Sequence, residues 1–154
     1  MNIISTLVGT WFICSTNFPM WLKGDKLDPT FTYSLTDKKA DVPVLLDEVK
    51  YRKKGKQKTL TGYDYQDKHN PAAFVWRGKG LLSLVRSNWR VAMLDPEGQW
   101  AVIWFSKTLF TPEGVDVISR KSSLTAEQLN QIKAQMTNES LLKKHLQTLH
   151  DLNR

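Results

Sequence analysis

Few residues in this chain are spaced for covalent chemistry. Its three histidines are His69, His145 and His150, and the last two stand five apart, off the i, i+4 geometry in which a helix presents a pair of metal ligands. All three are expected as solvated surface residues. No Ser-His-Asp order or nucleophile elbow occurs. Arg77-Gly78-Lys79-Gly80 shares only its glycines with a phosphate loop; no helical pattern follows it, so it reads as a hairpin. The single cysteine, Cys14, excludes an intramolecular disulfide and suits a reducing compartment. Its apolar neighbours predict a small packed hydrophobe. The sequence thus offers no catalytic set, no metal site and no cofactor motif.

Charge is more informative. The 154 residues carry a formal net charge of +7, a balance that fits nucleic acid, an anionic ligand or a membrane surface. Six of the nine residues from Lys50 to Lys58 are cations. RNA recognition pairs such cations with exposed stacking aromatics. Tyr51 is the one aromatic within the run, so no nucleic-acid partner is expected. As a hairpin the run would be solvated and would protect strand edges. The N-terminal MNIISTLVGTW lacks a basic leading region and a small-residue cleavage site. No apolar run approaches the roughly 20 residues of a membrane span. The expectation is a cytoplasmic protein of one domain, residues 1–154, long enough to bury a core without disulfides.

The elements that must position these residues are mostly strands. Eight runs rich in Val, Ile, Thr and aromatics occupy 8–16, 30–36, 42–53, 57–66, 72–77, 81–94, 99–106 and 114–120. Turn residues separate them, among them Lys54-Gly55, His69-Asn70-Pro71 and Asp95-Pro96-Glu97-Gly98. The 81–94 run is too long for a flat strand and is expected to bend near Ser87-Asn88. In 30–36, Phe31, Tyr33 and Leu35 alternate with Thr30, Thr32 and Ser34. In 99–106 both faces are apolar, with Ala101, Ile103 and Phe105 on one and Trp100, Val102 and Trp104 on the other. One of those faces needs an outside partner, and the C-terminal segment, about 125–150, supplies it. Thr125-Ala126-Glu127-Gln128 is a capping box flanked by a Leu124/Leu129 staple. Leu129, Ile132 and Met136 follow as a helical stripe. A second helical stretch from Asn138 aligns Leu142, Leu146 and Leu149. The pattern predicts an all-β domain with a C-terminal α-helix: a closed, eight-stranded, antiparallel up-and-down β-barrel over about 8–120.

Here the chain resembles the lipocalins of the calycin superfamily, in particular their bacterial and apolipoprotein D-like branch. Leu7-Val8-Gly9-Thr10-Trp11 is similar to the family's Gly-x-Trp motif on its first strand. Thr32-Tyr33-Ser34-Leu35 is similar to the second strand, and Ile118-Ser119-Arg120 to the last. Leu94-Asp95-Pro96 departs from the family's Thr-Asp-Tyr-like turn, and the lack of disulfides departs from its secreted members. The resemblance implies a barrel floor of Gly9, Trp11 and Arg120, with the arginine stacked on the indole, a contact of about 1–2 kcal/mol when desolvated. It also implies a lumen that binds a small hydrophobic ligand, lined by Phe31, Tyr33, Leu35, Leu60, Phe74, Trp76, Ile103, Phe105 and Ile118. The alternative is a filled core, since an eight-stranded barrel can be packed by its own side chains. Asp64 and Asp116 also fall inward, with Arg120 available to neutralise one of them.

Up-and-down topology gathers the connections at 17–29, 53–56, 77–80 and 107–113 at one mouth. They carry Lys53, Lys54, Lys56, Arg77, Lys79 and Lys107 beside Trp21 and Phe110, which are expected to be exposed. This polarity leads to an anionic amphiphile, such as a fatty acid or lysophospholipid, with its tail in the lumen and its head at the basic mouth. It also leads to peripheral contact with anionic membrane. The alternative is an enzyme acting on a lipid or isoprenoid epoxide within a calycin-type barrel, with Asp64, Tyr33 or Asp116 as acid or base.

Overall fold

The computed structural model describes residues 2–152; residues 1, 153 and 154, the ends of the single-domain assignment, lie outside the described residues. The barrel strands are β1 (Gly9–Thr16), β2 (Leu27–Leu35), β3 (Val44–Lys53), β4 (Lys56–Gln66), β5 (Ala73–Gly78), β6 (Arg86–Leu94), β7 (Trp100–Phe105) and β8 (Gly114–Ser119). Each pairs antiparallel with the next, and β1 pairs with both β2 and β8, which closes the sheet. Closure leaves no long edge for another chain to extend. A short ninth strand, β9 (His150–Asp151), pairs with Ser15 and Thr16, on the part of β1 that β2 leaves free.

All eight expected strands form, with one correction. The 81–94 run is not a single bent strand. Gly80, at φ +65°, turns the chain out of β5, Gly80–Leu82 makes a 3-10 turn, and β6 begins only at Arg86. The irregularity in β6 lies between Val91 and Met93, not near Ser87-Asn88.

Strand alternation sorts the side chains into two cores. Inside the barrel, Trp11, Ile13, Phe31, Tyr33, Leu45, Phe74, Trp89, Ala101, Ile103 and Ile118 pack together. Outside it, Val102 of β7 and Val115 and Val117 of β8 meet Leu129, Ile132 and Met136 of α3 (Ala126–Met136). Both bonds of the capping box form at Thr125 and Gln128. Fully burying each aliphatic side chain contributes about 1.5–3 kcal/mol, so the helix is held by its stripe more than by its propensity. The second helical stretch is broken, however. The four-residue α4 (Ser140–Lys143) and a 3-10 turn at 146–148 bring the chain back to pair as β9. Leu142 and Leu149 still reach the outer core, and Leu146 packs at its edge.

Two short helices frame the barrel ends. In α1 (Ile3–Leu7) the Asn2 side chain caps the first turn by accepting from the Ser5 N–H. In α2 (Pro19–Leu22) a proline opens the turn.

Candidate ligand cavity

The four connections β1–β2, β3–β4, β5–β6 and β7–β8 share one end, and the interior opens there into a cavity of about 220 Å³. Its walls are Phe31 and Tyr33 of β2, Val49 of β3, Leu60 of β4, Trp76 of β5, Trp89 of β6 and Phe105 of β7. Phe18, Met20, Trp21, Val85, Thr108, Phe110 and Thr111 reach it from the loops. The aromatic wall is interlocked: Trp89 stacks on Phe74 with centroids 4.4 Å apart, and Tyr33 lies 5.8 Å from the other side. Phe105 meets Phe18 edge-on at 5.3 Å. Such contacts add to burial and hold the rings in fixed orientations.

Five of the nine expected lining residues, Phe31, Tyr33, Leu60, Trp76 and Phe105, border this cavity. Phe74, Ile103 and Ile118 belong to the buried interior core but do not border it. Leu35 is a correction: it is 70% exposed. β1 begins at Gly9, opposite Tyr33, so β2 runs past its neighbour and Leu35 has nothing over it on that side. Trp21 is another correction. It is buried, because α2 folds into the mouth and sets its indole edge-on against Tyr51 at 5.7 Å.

Three carboxyls stand inside the barrel. Asp47, Asp64 and Asp116 are 6%, 0% and 1% exposed. The Trp89 Nε1–H donates to Asp64 Oδ1 at 3.0 Å, and the Thr16 hydroxyl bonds Asp116. Asp47 and Asp64 hydrogen-bond each other, and beyond that bond Asp47 Oδ1, Asp64 Oδ2 and Asp116 Oδ1 have no hydrogen-bond partner among the described residues. Burial pushes Asp47 up to about 6 and Asp116 up to about 7. Asp64 is raised by burial and by the charge of Asp47 beside it. Burial, with the charges of all three aspartates, also raises the Tyr33 hydroxyl. Asp47 and Trp89 are not among the residues the sequence singles out: Asp47 is one charge among several on β3, and the long 81–94 run masks the alternation of β6.

Arg120 neutralises none of these carboxyls. It closes the far end of the barrel, with its guanidinium carbon 3.7 Å from the Trp11 ring centroid. Its Nη1 donates to the Thr10 carbonyl at 3.0 Å, and Nη2 donates to those of Thr6 and Val8 at 2.5 and 2.9 Å. The Trp11 Nε1–H donates to the Leu7 carbonyl at 2.8 Å. Gly9 makes the approach possible: it holds φ +113°, and a Cβ there would lie 2.8 Å from Arg120 Nη1.

The mouth is less uniformly basic than its sequence. Lys53 pairs with Asp25 at 3.5 Å, and Arg52 pairs with Asp28. Arg77 points outward, its guanidinium 5.5 Å over the Tyr65 ring. Lys54, Lys56, Lys79 and Lys107 stay exposed, as do Leu81, Leu84, Leu109 and Phe110. His145 is not a solvated residue. It is 8% exposed, with Nε2 2.5 Å from Glu113 Oε2 and Nδ1 2.9 Å from Asn17 Nδ2. Burial pushes Glu113 up, but hydrogen bonds from Lys144, His145 and Trp104 outweigh it and hold the carboxyl at about 2. This cluster ties the C-terminal segment to the mouth loops.

Residues 4–151 match the family model described as a lipocalin-like domain. The chain belongs to the lipocalin-like family. Solved structures agree on the fold. Lobster apocrustacyanin A1 superposes with a TM-score of 0.69 at 12% identity, covering 97% of this chain and 78% of that one. Apocrustacyanin C2 gives the same values. The siderocalin Ex-FABP gives a TM-score of 0.66 at 12% identity, over 97% of this chain and 95% of its own. No curated protein matches the sequence. A lipocalin-like barrel implies binding or transport of a small hydrophobic ligand.

Proposed function

We propose that the protein binds and carries a slender amphiphile of the fatty-acid or lysophospholipid type, with its chain in the cavity and its anionic head at the mouth. The observation that carries this is the pairing of an aromatic-walled cavity with exposed Lys54, Lys56, Lys79 and Lys107 on the loops at its open end. About 220 Å³ is below the roughly 300–1,000 Å³ of drug-sized sites, which favours a narrow chain over a fused-ring ligand. An anionic head would stay at the rim, because the interior already holds three carboxyls. Exposed Leu81, Leu84, Leu109 and Phe110 beside those lysines suit docking at an anionic bilayer during ligand exchange. Ex-FABP, of the same fold, functions through dual ligand specificities, a precedent for one barrel serving more than one ligand class. Titrating tryptophan fluorescence with long-chain fatty acids tests the reading. A saturable change is expected because Trp76 and Trp89 line the cavity, and Leu60→Trp should abolish it by filling the lumen. No saturable response to any apolar probe would overturn it.

One observation favours acid–base chemistry on a lipid or isoprenoid epoxide as a second reading. Tyr33 and the raised carboxyls of Asp47 and Asp116 border the same cavity, and carboxyls titrating near neutrality suit proton transfer. Turnover of an epoxide by the purified protein would select it.

A further inference from the structure

The cavity has a polar wall that neither an acyl chain nor the rim explains. Asp47 of β3, Asp64 of β4 and Asp116 of β8 are buried inside the barrel, and Asp47 and Asp64 hydrogen-bond each other. Each is at least nine-tenths buried and, beyond that bond, keeps one oxygen without a partner among the described residues. Asp47 and Asp116 border the open volume directly. Besides the Asp47–Asp64 bond, Glu48 acts on Asp47, the Trp89 N–H on Asp64 and the Thr16 hydroxyl on Asp116, and none of these groups is a cation. Tyr33 faces them from β2. The nearest candidate cation by sequence, Arg120, is spent on three carbonyls at the floor. Buried polar groups are normally bonded, and an orphaned set calls for an explanation.

We propose that the two carboxyls bordering the cavity, Asp116 and Asp47 with Asp64 behind it, make an acidic inner wall, a subsite that receives the protonated amine of an apolar ligand, so that the barrel favours alkyl or arylalkyl ammonium ions. The proposal rests on the reading of the cavity as a ligand site and names the chemistry of its inner end. An ammonium brings three N–H donors and the positive charge that the cluster lacks. An alkyl terminus would leave the carboxylate oxygens orphaned. A hydroxyl would satisfy only one of them. The rings of Phe31, Tyr33, Trp89 and Phe105 surround the same space, and aromatic faces attract an ammonium. The acidic interior and the basic rim are opposite ends of one cavity, so a ligand with an amine inside and an anion outside would satisfy both. With Asp47 raised to about 6 and Asp116 to about 7, amine binding at these two carboxyls releases protons and strengthens as pH rises.

The test is displacement of a neutral solvatochromic probe from the full chain by decylamine, decanol and decanoate, at pH 5 and pH 8. Decylamine should displace the probe at concentrations about tenfold or more below decanol at pH 8. That advantage should fall to about threefold or less at pH 5 and in Asp47→Asn and Asp116→Asn. Asparagine keeps the shape and removes the charge, and the pH series on the unmodified chain repeats the test without any substitution. If decanol and decanoate displace the probe and decylamine has no advantage at pH 8, the subsite is overturned and the carrier reading stands. An advantage unchanged by pH and by both variants also overturns the subsite. If the probe does not bind, the carrier reading falls and the subsite with it.

Discussion

The Arg120 guanidinium lies over Trp11 with its carbon 3.7 Å from the ring centroid, while its N–H groups bond three backbone carbonyls. The two residues come from the start and the end of the barrel, so this contact joins β1 to the chain leaving β8. Trp11→Ala should cost ~3–5 kcal/mol, from the lost burial and the void. Arg120→Ala should cost less, in the same direction. Denaturant unfolding of both singles and the double should give a coupling of about 0.5–3 kcal/mol. Additive effects would mean that the contact contributes nothing of its own.

Gly9 is the residue that lets this floor close. Gly9→Ala would place a methyl 2.8 Å from Arg120 Nη1 at a backbone φ of +113°. The guanidinium is pinned by its hydrogen bonds and cannot swing aside freely. A loss of about 1–3 kcal/mol is expected from strain alone. Thermal melting of Gly9→Ala alone and in an Arg120→Ala background separates the two causes: the clash disappears in the second background and the φ strain remains.

The buried carboxyls make stability depend on pH in an unusual direction. Asp116 titrates near 3.8 when exposed and at about 7 when folded. Between those values the folded state holds more protons than the unfolded state. Its contribution is complete below about pH 4 and is lost as pH rises through 7. Asp47, raised to about 6, acts in the same direction. The unmodified protein should therefore lose stability between pH 4 and 7, by an amount on the order of a few kcal/mol. Asp116→Asn should flatten that slope in urea melts at pH 4, 5.5 and 7. An unchanged slope would mean that Asp116 is ionised in the folded protein throughout.

At the mouth, sedimentation with anionic vesicles and not with zwitterionic ones is expected, and high salt should abolish it because exposed charges are screened. Lys54, Lys56 and Lys79 changed to Glu should remove docking and spare binding of a neutral ligand inside. Leu84→Asp with Leu109→Asp should weaken docking at low salt as well, since both side chains are almost wholly exposed. Equal sedimentation with both vesicle types would leave these loops as ordinary solvated turns.

The sequence by itself determined the barrel, because side-chain alternation along a strand has a fixed period of two and every turn carried its own local chemistry. It determined the α3 cap at Thr125 and Gln128 for the same reason: capping is settled within four residues. The Gly9–Trp11–Arg120 floor was legible through a family resemblance, and its geometry bears that out. What only the tertiary structure decided is where separate strands meet. Leu35 shares the parity of Tyr33, yet lies in solvent because β1 starts only at Gly9, opposite Tyr33. Trp21 sits in a connection between strands, where exposure is the default, and is buried because α2 folds inward. His145, on a broken helical stretch, is buried through its bonds to Glu113 and Asn17, distant in sequence. The carboxyl cluster is the largest case. Asp64 and Asp116 fall inward by parity, but nothing in the chain marks Asp47, and only barrel closure takes all three out of water and sets Asp47 and Asp116 on one cavity wall.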